Sequence, residues 1–253
     1  MHWYVYEESL NDKKFATELS KIESRLADLE IKGRICRLSV LKNLSEALRE
    51  AVSQGAETIV AVGSDQCFLQ TAVAAAAFPS VTVGFIPMDD NSLFASAFGL
   101  PIGDKACDVL AQRLVKKIDL GKVNQNYFVD ALSFSGEQVF LEFAGYQISP
   151  ASSEAVLSVR NLGLTAFASG AQKMASPTDG KLEAVIEPLK KNWLGKMKLS
   201  GRPSVFPFRR ARIVSKGEPA SILADGRTVA KTPAEVTVEP EKLKVIVGPQ
   251  RLF

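Results

Sequence analysis

The 253-residue chain has one histidine, His2, and three cysteines, Cys36, Cys67 and Cys107, with no Cys-x-x-Cys pair among them. A lone histidine in an aromatic run that reads as a first strand argues against the usual Ser-His-Asp arrangement. An odd number of cysteines without ligand spacing argues against a disulfide framework or a thiolate metal site, and for reduced thiols in a core. Long apolar runs are also missing, none approaching the roughly 20 residues that a membrane helix requires. The opening MHWYVYEES lacks the basic region and apolar core of a secretory signal, so a cytoplasmic location is the expectation. Internal repeats and low-complexity tracts do not occur.

What is there is ordinary for a globular protein: 46% hydrophobic and 23% charged residues, in a length that admits one large domain or two ordinary ones. The net charge of +3 is unevenly spread, because the first 122 residues are slightly acidic and the remainder carries the excess of Lys and Arg. From Lys190 to Lys216 nine basic residues occur without an acid between them. Such a run suits a solvated face or, alternatively, contact with phosphates or an anionic bilayer.

The most informative stretch is IVAVGSDQCFLQTAVAAAAFPSVTVGFIPMDDNSLFASAFGLP, Ile59 to Pro101. It reads as strand, tight turn, alanine-rich helix, strand, second turn and short helix. Parallel strands joined in this way leave both turns on the carboxyl edge of a sheet, where α/β proteins bind ligands. Upstream, His2–Tyr6 reads as a strand. Phe15, Leu19, Ile22, Leu26 and Leu29 form a helical stripe opened by Asn11 or Asp12 and stopped by Gly33. Arg34–Val40 reads as another strand, and Asn43 with Glu46 has the pattern of a capping box. Asp104–Lys117 is predicted as a further helix, with Val109, Leu110, Leu114 and Val115 inward. Beyond it the pattern alternates around turn residues and reads as hairpins, with strands at Ala155–Val159, Leu182–Ile186, Ala211–Ser215, Ser221–Ala224, Ala234–Val238 and Lys244–Val247. A helix over Glu187–Leu199 is the expected interruption.

Five pieces in this order resemble the diacylglycerol kinase catalytic family, which belongs with the NAD-kinase-like superfamily. They are the strand–Gly63–x–Asp65 turn, the IP-x5-LFA-x3-GLP segment, IDLGKVNQNYF, ASPTDGKLEAVI, and SVFPFRRARIV with SILADGRTVAKTPAEVTVEP. The resemblance implies an α/β domain with a parallel sheet and helices on both faces over residues 1–119. A mainly antiparallel β-sandwich domain over residues 120–253 would follow. It implies ATP and Mg²⁺ as cofactors, with the nucleotide at Gly63, Ser64, Asp65, Gln66 and Cys67 and at Asp90, Asn91 and Ser92. Asp225 matches the aspartate that helps activate the acceptor hydroxyl. Asp179 matches a turn that helps hold a structural metal.

The residues depart from the family pattern where phosphate chemistry is densest. Ser64 and Gln66 stand where typical members have glycine, and Cys67 replaces a threonine hydroxyl. Close backbone approach to phosphate favours glycine, and a side chain forced to positive φ costs roughly 1 kcal/mol. Asp89 and Asp90 occupy the glycine and threonine positions of the second turn, and Leu93 that of an aspartate. A carboxylate about 4 Å from a phosphate charge costs about 4 kcal/mol at an effective dielectric of ~20. A bound Mg²⁺ would reverse that sign; otherwise Asp89 or Asp90 caps the helix through Phe94. Arg227 stands in place of a glutamate two positions after Asp225, and a cation there would lower the aspartate's pKa. Asp225-Gly226 also suits a plain hairpin turn, as does Asp179-Gly180, where Thr178 replaces a second acid.

The basic tract interleaves Lys190, Lys191, Lys196 and Lys198 with Trp193, which suits either core packing or a membrane surface. The expected function is Mg²⁺-dependent transfer of a phosphoryl group from ATP to a lipid hydroxyl. The alternative is a degenerate homologue that acts as a lipid-, membrane- or protein-binding regulatory protein. The expected partners are nucleotide or lipid, an anionic membrane surface on the inner face, and a second copy of the chain in a homodimer. No nucleic-acid motif accompanies the basic residues.

Overall fold

The structure is a computed structural model describing residues 1–39, 43–135, 138–150, 155–167, 174–191, 197–199 and 202–253. Its chain divides into two compact units, Met1–Ile118 with Lys242–Phe253, and Asp119–Glu241.

The first unit alternates strand and helix: β1 (His2–Tyr6), α1 (Ala16–Asp28), β2 (Arg34–Arg37), α2 (Leu44–Ser53), β3 (Thr58–Gly63), α3 (Asp65–Ala75), β4 (Thr82–Pro87), α4 (Leu93–Phe98) and α5 (Ala106–Gln112). The strands pair in parallel in the order β2-β1-β3-β4. Every residue of β3 and β4 is buried, as strands covered on both faces require. One face packs Tyr4, Tyr6, Val60, Val62 and Ile86 against Leu19, Ile22 and Leu26 of α1 and Leu110 of α5. On the other, Phe85 meets Phe68 of α3, which also touches Phe94 and Phe98. Asn43 caps α2 through the Glu46 N–H, as the sequence predicts.

The second unit begins within β5 (Val115–Val123) and continues through β6 (Asn126–Phe128), β7 (Ala131–Ser135), β8 (Val139–Phe143), β9 (Tyr146–Ile148), β10 (Ala155–Arg160) and the short α6 (Leu164–Phe167). Then come β11 (Leu182–Lys191), β12 (Met197–Leu199), β13 (Ser204–Phe208), β14 (Arg210–Ser215), β15 (Ser221–Ala224), β16 (Arg227–Lys231) and β17 (Ala234–Ile246). β11, β10, β7, β15 and β16 pair antiparallel in that order, with β12 and β13 also on β11. A second antiparallel set runs β17-β14-β8-β9. Leu132, Leu141, Leu157, Val159, Leu182, Ile213, Ile222 and Val236 fill the core of this sandwich. β17 serves both units in turn. Its first residues pair antiparallel with β14, and Lys244 and Val245 pair in parallel with β4.

Local expectations shift in four places. The helix predicted from Asp104 to Lys117 stops at Gln112, where Arg113 turns left-handed at φ 51°; Leu114 is then exposed and Val115 starts β5. The first helix begins only at Ala16, after two 3₁₀ turns, and ends at Asp28 rather than at Gly33. The helix expected over Glu187–Leu199 is strand in its described residues, with 192–196 lying outside them: β11 continues to Lys191 because ladders with β10 and β12 satisfy its main chain. The two strands expected between Ala234 and Val247 are a single long one. All three cysteines are buried and free. Among the described residues no helix is long and apolar enough to cross a membrane.

Candidate functional site

Parallel register sets the first unit's candidate site. Tyr6 pairs with Val62 and Gly63 with Pro87, so Glu7, Ser64 and Met88 all emerge from one edge of the sheet. The Glu7 N–H donates to the Val62 carbonyl at 3.0 Å, and the Met88 N–H to that of Gly63 at 2.9 Å. Glu7 then turns its carboxylate into the first turn. Oε2 accepts from the Ser64 main-chain N–H and Oε1 from the Ser64 hydroxyl, both at 2.8 Å. A Cβ added to Gly63 would stand 2.5 Å from Oε2 and 2.7 Å from the Cβ of Glu7. Glycine is needed here to admit this side chain.

The side chains that replace glycine in the turn are not strained. Ser64 is extended at φ −81° and ψ 168°, and its hydroxyl caps α3 by accepting from the Cys67 N–H at 3.3 Å. Gln66 lies within the helix. Cys67 is buried, and burial together with the charge of Glu7 pushes its thiol up to about 12, so it stays protonated. Asp65 joins the two turns: its carboxylate accepts from the Ser92 hydroxyl and, at 2.9 Å, from the Leu93 N–H. Ser92, not Asp89 or Asp90, caps α4, accepting from the Ala95 N–H at 2.9 Å. Asp89 instead closes an Asx turn on the Asn91 N–H at 2.9 Å, because it lies three residues too early to reach the first helical turn. Asp90 and Asn91 are exposed.

Asp225 belongs to the second unit. It sits left-handed at φ 49° before Gly226 at φ 80°, the backbone of a tight hairpin between β15 and β16. Its carboxylate accepts the N–H groups of Val129, Asp130 and Ala131 at 2.8, 2.9 and 3.1 Å. The cation at position 227 does not set its acidity. Burial raises the carboxyl to about 6, helped by the charge of Asp130 and opposed by the three N–H groups, whereas Arg227 is exposed. Asp130 is itself buried, which raises its pKa, and accepts from Leu164 N–H at 2.6 Å and from the N–H and hydroxyl of Thr165 at 3.2 and 2.6 Å. Its carbonyl takes the N–H groups of Asn161, Leu162 and Gly163.

Asp179 is exposed and closes an Asx turn on the Lys181 N–H at 3.0 Å. The turn is held instead by Asp119, 1% exposed, which accepts from Gly180 N–H at 2.7 Å and Glu241 N–H at 2.8 Å. Among the described residues no group of three His, Cys, Asp or Glu side chains is arranged to hold a metal. Lys190 and Lys191 lie on β11, and Lys198 on β12 opposite Lys190. Trp193 and Lys196 lie outside the described residues.

Glu7, Asp119 and Asp130 are absent from the sequence prediction. Only Glu7 carries a local signal: it is the first residue after a strand parallel to β3, so it must emerge beside Gly63. Asp119 and Asp130 act on main chain distant in sequence, and nothing local marks them.

No protein-family model matches the chain. A curated relative, the diacylglycerol kinase of Bacillus subtilis, is 32% identical over 89 residues, which is 34% of this chain and 29% of that protein. Among solved structures, a diacylglycerol kinase from Bacillus anthracis aligns with a TM-score of 0.75 at 18% identity, covering 98% of this chain and 97% of its own. An NAD kinase from Archaeoglobus fulgidus, determined in complex with ATP, aligns with a TM-score of 0.63 at 14% identity over 99% and 95% of the two chains. The chain has the fold shared by diacylglycerol kinases and NAD kinases.

Proposed function

We propose that this protein is a catalytically silent relative of the lipid kinases that works as a binding or regulatory protein. The fold and the diacylglycerol kinase match support a lipid- or NAD-kinase-like class; they do not reach substrate or turnover. The observation that carries the reading is the Glu7 carboxylate on the Ser64 N–H and hydroxyl. Main-chain N–H groups at a helix start are what a turn of this kind offers to a phosphate. Here a fixed internal anion holds that donor, and a phosphate about 4 Å from it would be disfavoured by about 4 kcal/mol, close to a thousandfold in affinity.

The groups that would meet ATP and Mg²⁺ are already partly engaged within the protein. Asp65 spends its carboxylate on Ser92 and Leu93, and Asp89 spends one oxygen on Asn91. Phosphoryl transfer relies on positioning and on stabilising charge, so losing these contacts together is severe. The test is a thermal shift with MgATP beside transfer of labelled phosphate to diacylglycerol in mixed micelles. Neither a shift nor transfer is expected. A saturable shift with turnover, both lost in Asp65→Ala, would establish an active kinase and sink the proposal.

A further inference from the structure

The second unit has an edge unlike its others. Among the described residues β13 pairs only with β11, leaving its other side open. On it Val205 is 44% exposed and Phe206 39% exposed, and successive strand residues point to opposite faces. Both faces of this edge are therefore apolar at the rim. Arg202 and Arg209 flank the pair and are exposed. The neighbouring Arg210 and Arg212 are ion-paired with Glu235 and Glu142, but no ion pair to Arg202 or Arg209 occurs among the described residues.

An open edge usually invites another strand. This one is built against that. Pro207 stands in the ladder opposite Glu183, and a proline is tolerated in a strand only where its nitrogen faces the free side. Alternation then leaves Val205 as the outward N–H within β13, too little for a ladder. Affinity at this edge must come from side chains. A stable protein interface buries about 800 Å² on each partner, more than two half-exposed apolar side chains supply. Two apolar side chains between two cations about 20 Å apart along an extended segment instead match the boundary between headgroups and acyl chains.

We infer that the β13 edge docks on an anionic bilayer, with Val205 and Phe206 entering the interface and Arg202 and Arg209 meeting headgroup phosphates. The inference rests on the reading of this protein as a binding protein, and names the surface that does the binding.

The test uses the full chain and sedimentation with vesicles of phosphatidylcholine alone or mixed with phosphatidylglycerol. Binding is expected on the mixed vesicles, weakened by salt. Arg202→Gln with Arg209→Gln should lower partitioning about thirtyfold, since each cation near such a surface is worth about a factor of five. Val205→Ser with Phe206→Ser should lower it about tenfold. The arginine variant should keep the parent's unfolding midpoint, because both arginines are exposed; the serine variant, whose side chains are only half exposed, is compared with the parent below its own midpoint. Equal binding to both vesicles, no binding, or wild-type binding by either variant overturns the inference. So does a concentration-dependent dimer abolished by Val205→Ser with Phe206→Ser, which would give this edge to a second copy. MgATP plays no part in this assay, so a failure here leaves the silent-kinase reading standing, and turnover there leaves this result intact.

Discussion

Both units aim carboxylates at main-chain N–H groups, but under different conditions. In the first, Glu7 and Asp65 are half-buried at a sheet edge and hold the Ser64 and Leu93 donors. In the second, Asp119 and Asp130 are each 1% exposed, and Asp130 alone takes two N–H groups and a hydroxyl. At the edge, water can replace a lost carboxylate. In the interior it cannot, so the same bond has a different consequence. The first pair occupies donors at the sheet edge; the second holds buried main chain of the sandwich.

The largest expected effect tests that division directly. Asp130→Ala should lower unfolding free energy by about 3 kcal/mol, since the buried Leu164 N–H loses its acceptor together with both donors of Thr165. Glu7→Ala, whose donors become wet, should lower it by about 1 kcal/mol. Urea unfolding of the two variants against the parent measures both. Equal losses would break the distinction.

A second effect comes from pH. Burial raises the folded pKa of Asp225 to about 6 from an ordinary 3.8, and moves Asp130 in the same direction. At these two carboxyls the folded state therefore binds more protons than the unfolded one between these values, and their contribution to stability falls as pH rises, opposed in part by His2, whose pKa burial lowers. The contribution is fully present below about pH 4 and is lost by about pH 6 to 7. Urea midpoints measured from pH 4 to 7 should decline, and the decline should flatten in Asp225→Asn. A decline that steepens in Asp225→Asn would mean that the three N–H groups outweigh burial.

The sequence discloses the first unit well because its signals are local. The apolar run before Gly63 and the Asn43 cap each act within a few residues. The second unit's sandwich is visible in its alternation, yet the described residues of the helix expected over Glu187–Leu199 are strand, since pairing with Ala155–Arg160 and Met197–Leu199 overrides a helical pattern. The return of Lys244 and Val245 to pair with β4 is likewise a long-range event. At the candidate site the turns are visible as motifs, but their chemistry is not. Ser64 reads as an obstructed glycine position, and its extended backbone and capping role appear only once Glu7 is beside it.

The smallest effect sharpens the second turn of the first unit. Composition alone offers Asp89 or Asp90 as the cap of α4, whereas the hydroxyl on the Ala95 N–H is that of Ser92, which is buried. Capping a helix is worth about 1 kcal/mol, and an exposed residue outside such a role is usually worth no more than about 0.5 kcal/mol. Ser92→Ala should therefore destabilise by about 1 kcal/mol or somewhat more, because it also strips Asp65 of a donor. Asp89→Ala should stay within about 0.5 kcal/mol, its Asn91 N–H being free to turn to water. Urea midpoints of the two variants in one buffer decide the matter. The reverse order would move the cap to Asp89, and with it the tie that Asp65 makes between the two turns.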